Sequence, residues 1–141
     1  MSVLGLMSKP VVTVEPDDTL RVVKEIFDHT RFHHLLVMEK GKLFGVISDR
    51  DLLKAISPNI GTRAETIQDK ATLNKKVHQV MTRKPVTLKA DADIFDAVTL
   101  FNVHTISCIP VVNDAFKPVG IITWRDILNV LEKSRNRRLN K

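Results

Sequence analysis

The sequence predicts a mixed α/β (α+β) fold made of two β-α-β-β-α repeats, and three observations carry that prediction. Gly45-Val46-Ile47-Ser48-Asp49-Arg50-Asp51-Leu52-Leu53 returns as Gly120-Ile121-Ile122-Thr123-Trp124-Arg125-Asp126-Ile127-Leu128. The likeness runs back to Met7 and Met81, with matches at Val12 and Val86, Thr13 and Thr87, Asp17 and Asp91, Phe27 and Phe101, and Val37 and Val111. Within each copy the hydrophobic spacing switches between the period of two of a strand and the period of about 3.6 of a helix. One extra residue in the second copy falls in the turn before Gly120, where turns tolerate insertion.

The elements follow in order. Pro10 to Val14 is short and rich in β-branched residues, and Asp17-Asp18-Thr19 offers N-caps for a helix with apolar positions at Leu20, Val23, Ile26 and Phe27. Leu35 to Met38 and Leu43 to Ser48 read as a hairpin across Glu39-Lys40-Gly41-Lys42, with Gly41 free to take positive φ. Ser48 then opens a helix from Asp49 to Ile56. In the second half the same order gives a strand over Pro85 to Leu88 and a helix capped by Asp91. Strands over Ile109 to Val112 and Pro118 to Thr123 come next, and a helix from Trp124 closes the chain. The divisions are repeat one at 7–56, a polar linker at 57–80 with a short helix near Leu73 to Val80, repeat two at 81–131, and a basic helix end or tail at 132–141.

Bulk composition excludes several classes. The chain of 141 residues is 43% hydrophobic, enough for two half-domains with proper cores. No apolar run approaches the roughly 18 residues a membrane helix needs, and Met1 to Leu6 is too short for a signal peptide, so the reading is a soluble, cytoplasmic chain without membrane partners. The single cysteine, Cys108, excludes an intramolecular disulfide and fits a reducing compartment. Net charge is +6, but Lys133, Arg135, Arg137, Arg138 and Lys141 stand against Glu132 alone in the last ten residues. That is the pattern of a solvated helix end, with a phosphate-bearing partner as the sharper alternative. Aromatics are too sparse for a stacking platform on single-stranded nucleic acid.

Ser48-Asp49-Arg50-Asp51 has a structural explanation. A hydroxyl residue followed three positions later by an acid is a capping box, which ties down the free amides of a first helical turn. Its return as Thr123-Trp124-Arg125-Asp126, again behind glycine and two apolar residues, makes a site plausible. A helix start offers N–H groups and partial positive charge to a phosphate, with hydroxyl and guanidinium as added donors. The carboxylate one turn in suits the two hydroxyls of a ribose.

The repeated pattern, preceded in the second copy by Ile106-Ser107-Cys108-Ile109-Pro110-Val111, resembles the cystathionine β-synthase (CBS) domain, and two in tandem resemble a CBS pair, or Bateman module. The resemblance implies a pseudo-twofold pair whose cleft between the repeats holds AMP, ADP, ATP, S-adenosylmethionine or NAD(H), with no other cofactor required. It places the ribose-binding carboxylates at Asp51 and Asp126 and the phosphate-side hydroxyls at Ser48 and Thr123. The backbone contacts to the base fall near Val12 and Val86, and phosphate contacts fall at His33-His34 in repeat one and Ser107-Cys108 in repeat two. Site one then comprises His33, His34, Val46, Ser48, Arg50, Asp51, Lys84 and Val86, and site two comprises Pro10, Val12, Ser107, Cys108, Ile121, Thr123, Arg125 and Asp126. Site one is the more cationic and is expected to hold the more phosphorylated ligand.

Three positions depart from the family. Leu36 stands where Pro is frequent, Asp49 adds negative charge beside Ser48, and Trp124 puts a ring at the matching place, where packing is the simpler role. His29, His33 and His34 lack carboxylate or cysteine partners at a familiar metal-ligand spacing. Cys108 reads as an inert buried thiol rather than a nucleophile. The expected function is a non-catalytic, adenosine-nucleotide-binding regulatory sensor, acting as a homodimer or on an unnamed protein target. The alternatives are a ligand-free dimerisation scaffold, or a nucleotide-controlled nucleic-acid contact through the basic tail.

Overall fold

A computed structural model describes residues 1–9 and 11–140. In chain order it holds β1 (Thr13–Val14), α1 (Leu20–His29), β2 (His34–Glu39), β3 (Lys42–Ser48), α2 (Asp49–Ala55), α3 (Ile67–Ala71), β4 (Thr82–Arg83), β5 (Leu88–Lys89), α4 (Ile94–Val103), β6 (Cys108–Val112), β7 (Pro118–Thr123) and α5 (Trp124–Leu139), with 3-10 turns at Val3–Gly5, Thr72–Asn74 and Val77–Gln79. No described helix is long and apolar enough to cross a membrane.

The chain divides into two compact units, Val12–Lys84 and Met1–Val11 with Pro85–Lys141. Each unit therefore takes the segment that precedes the other repeat. In the first, the sheet order is β1-β2-β3-β4, with β1 parallel to β2 and the other pairs antiparallel. β2 and β3 turn through Lys40 (φ 52°) and Gly41 (φ 76°), the paired left-handed residues a two-residue hairpin needs. Leu20, Val23, Leu35, Val37, Ile47, Leu52, Val77 and Met81 form its core, with Ile26 and Phe27 packed against them. All four apolar positions expected on α1 therefore face inward.

The second unit repeats this plan as β5-β6-β7, with β5 parallel to β6 and β6 antiparallel to β7. Its core gathers Val3, Leu6, Met7, Ile94, Ala97, Phe101, Ile109, Val111 and Ile122. The extra residue of repeat two lies in the turn from Asn113 to Lys117, where Asn113 Oδ1 accepts from the amides of Ala115 and Lys117.

Backbone bonds show how closely the units correspond. Leu20 N donates to Lys75 O at 2.9 Å in one, and Ile94 N donates to Met1 O at 2.9 Å in the other. Val77 N donates to Asp18 O, and Val3 N to Ala92 O. Gly45 faces Met81 and Gly120 faces Met7, each so closely that a Cβ would lie under 3 Å from the sulfur.

Several boundaries differ from the sequence reading. The strand expected over Pro10 to Val14 is Thr13–Val14, with Pro10 outside the described residues, and the one expected over Pro85 to Leu88 is Leu88–Lys89. The cap of α4 is Asp93, not Asp91, because Asp93 accepts from the Phe95 amide while its own N–H donates to Asp96. The linker expected to hold a helix near Leu73 to Val80 instead has α3 upstream and two 3-10 turns there, and Leu73 and Val77 are buried.

Candidate functional site

In the Val12–Lys84 unit the site is built where β3 ends. Gly45, Val46 and Ile47 are buried in the sheet, and Ser48 leaves it to cap α2. Ser48 Oγ accepts from the Asp51 amide at 3.1 Å, and Asp51 Oδ2 accepts from the Ser48 amide at 2.9 Å. The capping box is thus complete, and it holds the carboxylate half-exposed one turn into the helix. β2 starts beside it, since His34 pairs with Ser48 in register.

His33 is exposed, and its Nδ1 lies 2.8 Å from Asp49 Oδ2. The Asp49 amide donates to His33 O at 3.0 Å, so this strand end and helix start are held together by backbone as well as side chain. Burial lowers the pKa of His34 below the ordinary 6.5, with Asp49 and Asp51 opposing and His33 reinforcing the shift. Lys84 follows β4, which pairs with β3 at Gly45 and Val46, and it adopts a left-handed backbone (φ 49°). Arg50 is exposed on α2.

A cavity of about 420 Å³ opens beside Asp51, lined also by Lys54, Ala55, Lys75, Gln79 and Val80. Lys75 Nζ donates to Ala55 O at 2.7 Å, capping the end of α2. The sequence reading left Lys54, Lys75 and Gln79 out of the site. A signal for the last two existed in the match of Val77 and Met81 to Val3 and Met7, which makes residues 75–82 part of the repeat.

In the other unit, Cys108 pairs with Thr123 as His34 does with Ser48. Asp126 Oδ2 accepts from the Thr123 amide at 2.8 Å and hydroxyl at 3.3 Å, and Asp126 Oδ1 accepts from Ser8 Oγ at 3.1 Å. Arg125 and Ser107 are exposed, Cys108 is buried, and Ile121 is half-buried on β7. Trp124 leans on Phe101 with ring centroids 5.8 Å apart and donates to Ile106 O at 3.4 Å. It packs, as expected, yet stays 57% exposed.

The structure therefore gathers His33, His34, Val46, Ser48, Arg50, Asp51 and Lys84 in one unit, and Ser107, Cys108, Ile121, Thr123, Arg125 and Asp126 in the other. Val86 belongs to the unit of Asp126, Val12 belongs to the unit of Asp51, and Pro10 is outside the described residues. His29 takes no part, because its Nδ1 lies 2.8 Å from Glu25 O at the end of α1.

A "CBS domain-containing protein" of Dictyostelium discoideum is 33% identical over 130 residues, 91% of this chain and 89% of its own length. The structure of protein MJ1225 of Methanocaldococcus jannaschii matches with a TM-score of 0.79 and 26% identity, over 95% of this chain and 51% of that one. This chain thus spans about half of that protein. The CBS domain pair of protein MJ0100, solved in complex with 5'-methylthioadenosine and S-adenosyl-L-methionine, matches with a TM-score of 0.79 and 26% identity, over 95% of this chain and 98% of that one. The sequence model of the CBS domain matches here twice, at residues 3–58 and 77–133, and with this doubled match the chain belongs to the CBS domain family as a tandem pair.

Proposed function

We propose that this chain is a regulatory module without catalytic activity that binds an adenosine-containing ligand at Asp51 and, more weakly, at Asp126. The observation that carries the reading is the duplicated helix start, each with a fixed carboxylate one turn in. The MJ0100 pair, similar over nearly its whole length, has 5'-methylthioadenosine and S-adenosyl-L-methionine in its complex, which supports an adenosine ligand for this one. The Asp51 carboxylate is assigned to the ribose hydroxyls. Ser48, Arg50, His33, His34 and Lys84 are assigned to the phosphate side, with Lys54 and Lys75 in the adjoining cavity adding cationic charge.

Lys54, Lys75 and Gln79 correspond to Asn129, Met1 and Gly5 in the other unit, so the excess of side-chain cations is confined to the Asp51 site. ADP or ATP is therefore assigned there, and AMP or an uncharged-tail adenosine ligand at Asp126. A bound ligand shifts the protein toward whichever conformation it prefers, by no more than its differential affinity. The receiver of that shift is a homodimeric partner or a separate protein.

Thermal unfolding against AMP, ADP, ATP, S-adenosylmethionine and NAD(H) tests this reading. A ligand at about a hundred times its Kd adds roughly 2.7 kcal/mol, a shift of several degrees. The expected result is a shift by an adenosine phosphate that Asp51→Ala removes and Asp126→Ala leaves largely intact. No shift by any of the five ligands would favour the second reading, a scaffold whose carboxylates serve only as caps. The complete hydrogen-bonding of Asp126 is the observation behind that alternative.

A further inference from the structure

A second cavity, also of about 420 Å³, lies at the other end of the sheet that carries Asp51. Glu15 follows β1, Glu39 ends β2, Phe44 stands near the start of β3 and Arg83 lies on β4, so every strand of that sheet contributes to it. From Phe44 to Ser48, β3 advances about 13 Å, which separates this cavity from the Asp51 site. Its walls are tied by backbone. His78 N donates to Pro16 O at 3.0 Å and Val77 N to Asp18 O at 2.8 Å, which fixes the turn after β1 to the 3-10 turn at Val77–Gln79.

Charges of both signs line the cavity, and they mostly leave one another unpaired. Glu15, Asp17 and Glu39 stand with Lys40, His78 and Arg83. Among the described residues, the one contact between these opposite groups is His78 Nε2 to Asp17 Oδ1, long at 3.9 Å. Arg83 is held by neutral partners instead. Its guanidinium lies 5.4 Å from the centroid of the Phe44 ring, and its Nη2 donates to His78 O at 3.3 Å. A guanidinium fixed in this way keeps N–H groups to spare for a carboxylate.

Opposite charges that share a cavity without neutralising each other are matched best by a ligand that carries both signs. We propose that this cavity is a second ligand site, for an α-amino acid with an uncharged side chain. Arg83 and Lys40 receive its carboxylate, Glu15 and Glu39 receive its ammonium, and its side chain lies on the half-buried Met38 and Phe44. A polyphosphate would meet the carboxylates here, and a polyamine would meet Arg83 and Lys40, so neither suits the whole cavity. The charged groups other than His78 are exposed, which keeps each ion pair weak and sets the expected Kd near about 1 mM. The inference stands apart from nucleotide binding.

Amide chemical shifts of the full, isotope-labelled chain test it, with L-leucine and L-methionine titrated to about 10 mM. Isoamylamine and isocaproate, which keep the leucine side chain but only one of its two charges, serve as comparators. The expected result is a saturable shift at Glu39, Lys40, Phe44, His78 and Arg83, with both comparators about tenfold weaker or more. Arg83→Gln is expected to weaken amino-acid binding by about tenfold, and so is the double variant Glu15→Gln with Glu39→Gln. The double variant changes only exposed side chains, so it carries the test even where loss of the Arg83 contact with Phe44 disturbs the fold.

No saturable shift with either amino acid overturns the proposal. So do shifts centred on residues 48–51, a comparator that binds as well as leucine, or undiminished binding in the double variant. None of these outcomes bears on the nucleotide reading, which ligand-dependent unfolding judges separately.

Discussion

Asp126 accepts hydrogen bonds through both carboxylate oxygens, from the Thr123 amide and hydroxyl on one and from Ser8 on the other. Asp51 sits at the same place in the other unit, yet among the described residues it accepts only through Oδ2, from the Ser48 amide. Around Asp51 stand His33, His34, Lys54 and Lys75, and the matching sequence positions of the other unit hold Ser107, Cys108, Asn129 and Met1. The same backbone therefore carries two different degrees of commitment. One carboxylate is spent on structure, and the other keeps an oxygen for something else, with cations nearby. A duplicated motif teaches little by its recurrence alone; what separates the copies is how far their own neighbours satisfy them.

The largest expected effect tests the packing that both units share behind this motif. A Cβ at Gly45 would meet Met81 Sδ and the Thr82 carbonyl oxygen, both at 2.8 Å, and the carbonyl cannot move without displacing β4. A Cβ at Gly120 would meet Met7 Sδ at 2.3 Å and Cγ at 2.7 Å, which is closer, but a methionine side chain can swing aside. Gly45→Ala is accordingly expected to cost about 2–3 kcal/mol and Gly120→Ala about 1 kcal/mol, within the usual range for overpacking. Urea unfolding of the two variants measures the order. A larger loss at Gly120 would show that Met7 is as rigid as a backbone wall.

Those two glycines also mark where the sequence stops being readable. The hairpin through Lys40-Gly41, the bounds of β7 and the start of α2 are written locally, in turn glycines, capping residues and short apolar runs. The assignment of Met1–Val11 to the unit of repeat two, and of residues 77–84 to the unit of repeat one, is not. It depends on two-residue strands and single bridges, such as Ser8 to Ile121, that leave no periodicity behind. The same is true of the cap of α4. Asp91 and Asp93 are equally good capping residues by type, and the choice falls to Asp93, whose Oδ1 also receives the Met1 ammonium at 3.0 Å. In the site, the motif residues were legible because capping is local. Lys54 lies one turn after Asp51 on α2, whereas Lys75 and Gln79 were legible only as positions matched between the repeats, and it is the tertiary fold that brings them to Asp51.

A middle-sized effect separates structural from spare carboxylate. Asp126→Ala removes the acceptor of three hydrogen bonds and is expected to cost about 1–2 kcal/mol, whereas Asp51→Ala removes one side of a capping box and is expected to cost about 0.5–1 kcal/mol. Ligand protection is expected to run in the opposite order, with Asp51→Ala losing more of it. Measuring unfolding of both variants with and without ATP gives four numbers. If stability and protection fall together in the same variant, the two carboxylates do not divide their labour in this way.

The smallest effect is a slope. His34 opens β2 opposite Ser48, and Cys108 opens β6 opposite Thr123, so the two side chains occupy equivalent positions. Burial holds the His34 pKa below 6.5 despite the carboxylates of Asp49 and Asp51, so the folded chain prefers its neutral form. As pH falls, the unfolded chain takes up this proton first. The His34 contribution is therefore fully present above pH 6.5 and is lost progressively as pH drops from there through the lowered folded value. Asp69 and Asp93, held below 3.8 chiefly by the Ser57 hydroxyl and the Phe95 amide, lose their contributions only under that pH and leave the window clear. Urea midpoints at pH 7.5 and pH 5.5 are expected to fall less in His34→Gln than in wild type. A phosphate bound beside His34 would draw the proton back, so nucleotide binding in this window is expected to take up protons, seen as a buffer-dependent heat in calorimetry. Binding with no proton uptake, in a protein whose slope does depend on His34, would place the phosphates away from this histidine while leaving the ribose assignment at Asp51 standing.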